Sequence, residues 1–157
     1  LEGVNYARQQ QVIIELDRAY RFRMIGIDAG NSGRAIAHNL MAQVEDFCDR
    51  MRCIEFGGMV ELEPLPDGSP DRRPAKSFMT ELIQREMMQR TIVFPRLPDR
   101  EAQYASHTYS IGMTGQIIFD KGGDHLIDAD RCALLAWHYD TRRCERGPML
   151  GVDVRRF

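Results

Sequence analysis

No apolar run in the chain approaches the ~20 residues that a membrane-crossing helix needs, and nothing near Leu1 reads as a cleavable signal. Cysteine is sparse. Cys48, Cys53, Cys132 and Cys144 show no Cys-x-x-Cys spacing, which argues against structural zinc. Cys48 and Cys132 sit in apolar-periodic stretches and read as small buried hydrophobes, suiting a reducing cytoplasm better than a disulfide-stapled secreted domain. Charge of one sign is also lacking: 21 Lys+Arg against 23 Asp+Glu give a net charge of −2. That balance excludes a uniformly basic nucleic-acid binder but permits a local basic groove. No Gly-x-x-x-x-Gly-Lys-Ser/Thr phosphate loop, internal repeat or low-complexity tract is present.

What remains is a globular composition. The 157 residues are 43% hydrophobic and 28% charged, enough to bury one core and too short for two ordinary domains. A single domain over 1–157 is expected, with an Arg-rich tail at 141–157 loosely held. The start at Leu1-Glu2-Gly3 rather than Met suggests a fragment of a longer polypeptide.

From Val4 to Tyr20, Val12, Ile13, Leu16, Ala19 and Tyr20 recur at helical spacing. Met24 to Asp28 is an apolar strand ending in a carboxylate, and Ala29 to Gly33 is a tight turn. Ile36, Leu40, Val44 and Phe47 then line a helix, completing a β-α unit. Arg52 to Phe56 reads as a second strand, and the proline-rich stretch Glu63 to Lys76 as a loop. Ser77 is placed to cap a helix whose stripe is Met79, Leu82, Ile83 and Met87. Thr91 to Pro95 reads as a third strand, Asp99 to Tyr109 as a short helix, and Gly115 to Asp120 as a fourth strand. A last helix runs from Asp124 to Tyr139, with Leu126, Ala129, Ala133, Leu134 and Trp137 as core contacts. The alternation predicts a mainly parallel α/β sheet covered by helices, with one strand edge left open.

Two places carry possible chemistry. Asp28 closes a strand at the carboxyl end, where open α/β sheets gather functional groups, although an Asp there equally serves as a turn cap. Asp124, His125 and Asp128 follow Gly122-Gly123. Asp124 stands at an N-cap position, while His125 and Asp128, three apart, share one helix face. A carboxylate beside Ala129 and Ala133, residues suited to close packing, needs a partner, since an unpaired buried charge is costly. Carboxylate oxygens favour magnesium or manganese over zinc.

The stretch Ile25-Gly26-Ile27-Asp28-Ala29-Gly30-x-x-Gly33, with the later Asp124-His125-x-x-Asp128-Ala129-x-Arg131-x-Ala133-Leu134, resembles the nuclease domain of tailed-phage terminase large subunits. The likeness runs from about Leu16 to Trp137. It implies a ribonuclease H-like fold with a mixed or parallel sheet flanked by helices, here truncated at its N-terminal side. It also implies Mg2+- or Mn2+-dependent endonucleolytic cutting of concatemeric double-stranded DNA, in the cytoplasm of a bacterial host. Asp28 matches the family's second acidic metal ligand and Asp128 its third, with His125 and Asp124 as close supports. The family's first aspartate, on an early strand, has no counterpart here, so a two-metal site is expected to be incomplete, to bind at millimolar levels and to leave this chain by itself weak or inactive as a nuclease. Partners implied are an upstream ATPase domain, the portal and the small terminase subunit.

Arg72, Arg73 and Lys76 by the proline-rich loop, with Arg96 and Arg100 after the third strand, are the candidates for phosphate contacts; ordinary surface charge explains them equally well. Two other readings stand beside the nuclease. One is a non-catalytic docking or assembly module of the packaging machinery. The other takes Ile25–Gly33 as the phosphate loop of an actin- or sugar-kinase-like ATPase, although such loops turn back into a second strand.

Overall fold

The computed structural model describes residues 5–30, 32–115, 117–119 and 122–140. Helix α1 (Tyr6–Tyr20) begins where Asn5 Oδ1 accepts the Arg8 amide at 2.9 Å and ends at Arg21, whose φ of 52° leaves the helical path. Strand β1 (Ile25–Asp28), the Gly30–Gly33 turn and helix α2 (Gly33–Gln43) follow. A single turn, α3 (Phe47–Arg50), leads into β2 (Met51–Ile54). β2 pairs parallel to β1, with Ile25 opposite Met51 and Asp28 opposite Ile54.

The remaining strands form two antiparallel hairpins. β3 (Met59–Glu61) pairs with β4 (Arg72–Pro74), and β5 (Tyr109–Ile111) with β6 (Ile117–Phe119). Between them lie α4 (Ala75–Met88) and α5 (Pro98–Ser106), and α6 (His125–His138) closes the described chain. The class is mixed α/β.

Alternation along the parallel pair sorts its two faces. Ile25, Ile27, Met51 and Cys53 join Ile36, Ala37, Leu40 and Phe47 in a cluster on the α2 side. Ile54 points the other way, into a larger cluster with Phe78, Met79 and Leu82 of α4 and Cys132 and Leu135 of α6. Each such fully buried apolar side chain contributes roughly 1.5–3 kcal/mol. Helix α1 buries no residue completely. Its Asp17 is instead clamped by the Arg50 guanidinium at 2.8 and 2.9 Å.

Several expectations need correcting. Thr91 to Pro95 is not a strand: the Thr91 amide closes α4 onto Glu86, and no strand among the described residues pairs with the segment. The 63–76 stretch is not all loop. Asp67 Oδ1 takes the Ser69 amide and hydroxyl, Gly68 sits at φ 80°, and the turn returns Arg72–Pro74 alongside β3. Ser77 does not cap α4, which starts two residues earlier behind Pro74. The helix expected to reach Tyr109 stops at Ser106, and Tyr109 opens β5. The parallel sheet, among the described residues, has two strands rather than a majority of the strands. Ala129 and Ala133 are exposed, and the buried face of α6 is Ile127, Asp130, Arg131, Cys132, Leu134, Leu135 and Ala136. Residues 116 and 120 of the expected fourth strand, and the 141–157 tail, lie outside the described residues.

Candidate functional site

Parallel pairing sends the backbone groups of successive residues to opposite edges of a strand. The Ala29 amide donates to the Ile54 carbonyl at 2.7 Å, so Ile25, Ile27 and Ala29 face β2. Gly26 and Asp28 therefore face the other edge. Gly26, Ile27 and Asp28 line a groove of about 410 Å³ there. Gln9 and Ile13 of α1 and Ile36 of α2 wall one side, while His125, Asp128 and Cys132 of α6 wall the other.

Asp28 and Asp128 thus meet in one groove from elements a hundred positions apart. Each carboxylate has one oxygen held and one left over. Asp28 Oδ1 accepts the Gly30 amide at 2.9 Å, an Asx-type turn that fixes the side chain at the end of β1. Asp128 Oδ1 accepts from Arg131 Nη1 at 2.6 Å. Among the described residues neither Oδ2 has a hydrogen-bond partner. Cys132 lies within the field of both: burial first, then the charges of Asp28 and Asp128, pushes its thiol up to about 12. The thiol therefore stays protonated and withholds a soft ligand from the groove.

Arg131 is the residue the sequence did not single out for a role. It is fully buried, an uncommon position for arginine that demands complete pairing. Besides Asp128, its Nε and Nη2 donate to Thr80 Oγ1 of α4 at 3.1 and 2.9 Å, and Nη2 lies 2.8 Å from His107 Nε2. Arginine has no acceptor, so His107 Nε2 accepts and the ring proton sits on Nδ1. The guanidinium also lies 5.1 Å from the Phe119 ring centroid. The signals available beforehand were the three-residue spacing of Asp128 and Arg131 and the apolar run around Cys132.

Asp124 stands apart from the groove. It occupies the N-cap position of α6 but makes no side-chain cap; Lys76 Nζ pairs with its Oδ2 at 3.3 Å, and Gln103 Oε1 takes the Leu126 amide instead. The five basic candidates do not gather into one free patch. Arg72 pairs with Glu61, Arg73 with Asp71 and Glu81, and Arg96 with Glu101. Lys76 lies over Phe56 and Phe119 as well as against Asp124. Arg100 belongs to an interior cluster, bound to Asp130, which also accepts from the Tyr104 hydroxyl at 3.2 Å. Of the five, Arg96 reaches furthest into solvent, 93% exposed.

Among the described residues no group of three His, Cys, Asp or Glu side chains is arranged to hold an ion by itself. The donor set does suit one class of cation. Magnesium-type ions keep most of their water and are held by one or two carboxylates together with substrate phosphates, and Asp28 and Asp128 offer that pair of oxygens. No described helix is long and apolar enough to cross a membrane. Comparison of the chain with family models, with curated proteins and with solved structures gives no match.

Proposed function

We propose that this chain is the later part of a ribonuclease H-like nuclease domain of the kind that cuts DNA during phage packaging, acting on double-stranded DNA with Mg2+ or Mn2+. The observation that carries the reading is the convergence of Asp28 and Asp128 in a single groove beside His125. Elements supporting it are the parallel β1–β2 pair with α2 on one face and α6 on the other.

Divalent cations bound there supply the activation of a water and the charge to stabilise the leaving 3′ oxygen of a phosphodiester. The chain's own contribution is placement. The Gly30 amide fixes Asp28 at the strand end, and Arg131 fixes Asp128 on α6, so Asp28 and Asp128 would hold a cation through the oxygen each has left over. His125, exposed at the first position of α6, brings an imidazole to the same groove, where it orients water or carries a proton. Contacts to DNA phosphates would come from Arg72, Arg73 and Arg96, which pair with carboxylates at the surface and are free to exchange them. Lys76 and Arg100 are held inside the fold and serve it. The packaging ATPase, portal and small subunit are partners under this reading, and the host cytoplasm its setting.

The docking-module reading draws on a different observation. Asp124 and Asp128 already carry side-chain cations, Lys76 and Arg131, which lowers the net charge available to an ion. The ATPase reading has less behind it, since the turn after β1 runs straight into α2. Manganese decides between the first two. At millimolar manganese, paramagnetic broadening of the NMR signals of Asp28, Asp128 and His125, together with slow nicking of supercoiled plasmid, is expected in the native chain. Both are expected to vanish in Asp28→Asn and Asp128→Asn with the fold retained. Broadening centred elsewhere, or nicking that survives both substitutions, rejects the nuclease.

A further inference from the structure

We propose that Arg131 determines which divalent cation the groove accepts, by holding one oxygen of Asp128 and so restricting that carboxylate to one-oxygen coordination. The inference rests on the metal-site reading above and assigns Arg131 a positioning role within it; the guanidinium touches no substrate and no ion. Arg131 is fixed from three further elements: Thr80 on α4 at 2.9 and 3.1 Å, His107 before β5 at 2.8 Å, and the Phe119 ring of β6 at 5.1 Å. With no solvent exposure and these three anchors outside the groove, it stays in place and keeps Oδ1 while Oδ2 takes an ion. Asp128 Oδ1 is thereby committed at 2.6 Å, and Oδ2 is the oxygen left without a hydrogen bond among the described residues, on a side chain that is 29% exposed.

The consequence follows from how two cations of equal charge differ in geometry. Calcium takes six to eight oxygens and gains from carboxylates that bind through both. Magnesium, and manganese with it, prefers an octahedron of single oxygens with several waters retained. Asp28, with Oδ1 on the Gly30 amide, imposes the same restriction from the facing element. The positive charge of Arg131 repels both ions alike. Its electrostatic effect therefore cancels from the ratio of their affinities, and the coordination effect remains.

The test measures that ratio. Manganese binding is followed by paramagnetic broadening in the native chain, and calcium is titrated in as competitor. Calcium is expected to compete poorly with the native chain. In Arg131→Met, which removes the donors at nearly constant volume, calcium affinity relative to manganese is expected to rise about tenfold, the scale on which outer-shell partners tune metal sites. Arg131→Lys, which keeps a donor for Oδ1, is expected to bring the ratio back toward the native value; a purely structural arginine would give no such recovery. A ratio unchanged within about twofold in Arg131→Met, or shifted toward manganese, overturns the inference while leaving the metal site standing. Manganese broadening that ignores Asp28 and Asp128 in every variant overturns the metal site and this inference with it. Should Arg131→Met fail to fold, Thr80→Val removes two of the guanidinium's hydrogen bonds and leaves its charge. The same ratio is then expected to rise by about threefold, and no rise overturns the inference.

Discussion

A β-carbon placed on Gly26 would lie 2.1 Å from the carbonyl oxygen of Cys132, so strand β1 and helix α6 touch backbone to backbone. No side chain separates them, and Asp28, two residues along the strand, is brought beside the face of α6 that carries His125 and Asp128. The obstructing atom is main chain and has no rotamer by which to yield. Gly26→Ala should therefore push α6 away from the sheet and cost about 1–3 kcal/mol, at the upper end of that range. Chemical denaturation gives the stability loss. Manganese binding gives the second readout, and it should weaken because the two carboxylates are driven apart. Native stability in Gly26→Ala would show that the helix gives way freely.

Helix α1 is attached differently. With no completely buried residue, it depends on Ile13 and Ile14 packing partway into the α2 cluster and on the Arg50 guanidinium holding both oxygens of Asp17. The hydrogen bond to Arg50 is the largest influence on the Asp17 carboxyl and lowers its pKa. Stabilisation from this pair is therefore complete above the ordinary carboxylate range and declines as pH falls through the lowered native value. Asp17→Asn should cost about 1.5–3 kcal/mol, as expected for a hydrogen bond between charged groups. The loss should appear first as faster amide exchange across α1, ahead of α4 and α6, since α1 buries no residue completely and they bury several. Because Gln9 and Ile13 wall the groove, the same substitution opens it on that side.

Helical periodicity made most of the helices legible, and for a physical reason: the stripe of apolar residues that marks a helix is also what buries it. The β1–α2 unit could be read from Met24 to Leu40 because an apolar run, a glycine turn and a helical stripe each carry their own signature. Strands were read less well, since a strand exists only where another strand meets it. Thr91-Ile92-Val93-Phe94 has the composition of a strand and no strand partner among the described residues, whereas Arg72-Arg73-Pro74 has little of that composition and pairs with Met59–Glu61. Within the site, the strand end at Asp28 and the three-residue spacing of His125 and Asp128 were legible as candidates, the family resemblance supplied their roles, and the three line one groove, while Asp124 pairs with Lys76. Arg131 went unassigned because an arginine on a helix normally signals the solvated face. Here Asp128, three residues back on the same helix, is joined by Thr80 and His107 as the partners that let it go inside, and those two lie on distant segments that no local pattern connects to it.

His107 makes that interior arrangement sensitive to acid. Burial is the first cause lowering its pKa, and the Arg131 charge adds to it. The Asp124 charge comes next and opposes them, Lys76 lowers the value further, and Asp128 opposes least. A protonated ring at Nε2 would point a hydrogen at the guanidinium 2.8 Å away and remove the acceptor Arg131 uses. The unfolded chain binds this proton near the ordinary histidine value of about 6.5, and the folded chain only at lower pH. Between those two values the unfolded state holds more protons, so stability rises with pH. It is fully present above about 6.5 and is lost as pH falls toward the native value. His107→Gln keeps an oxygen able to accept from Arg131 and cannot gain a charge. Urea midpoints for the native chain should fall between about pH 7 and pH 5 by more than those of His107→Gln, and the difference cancels titrations the two share, including that of the buried Asp130. Parallel midpoint curves would show that His107 opens to solvent before it is protonated, which would detach it from the Arg131 network.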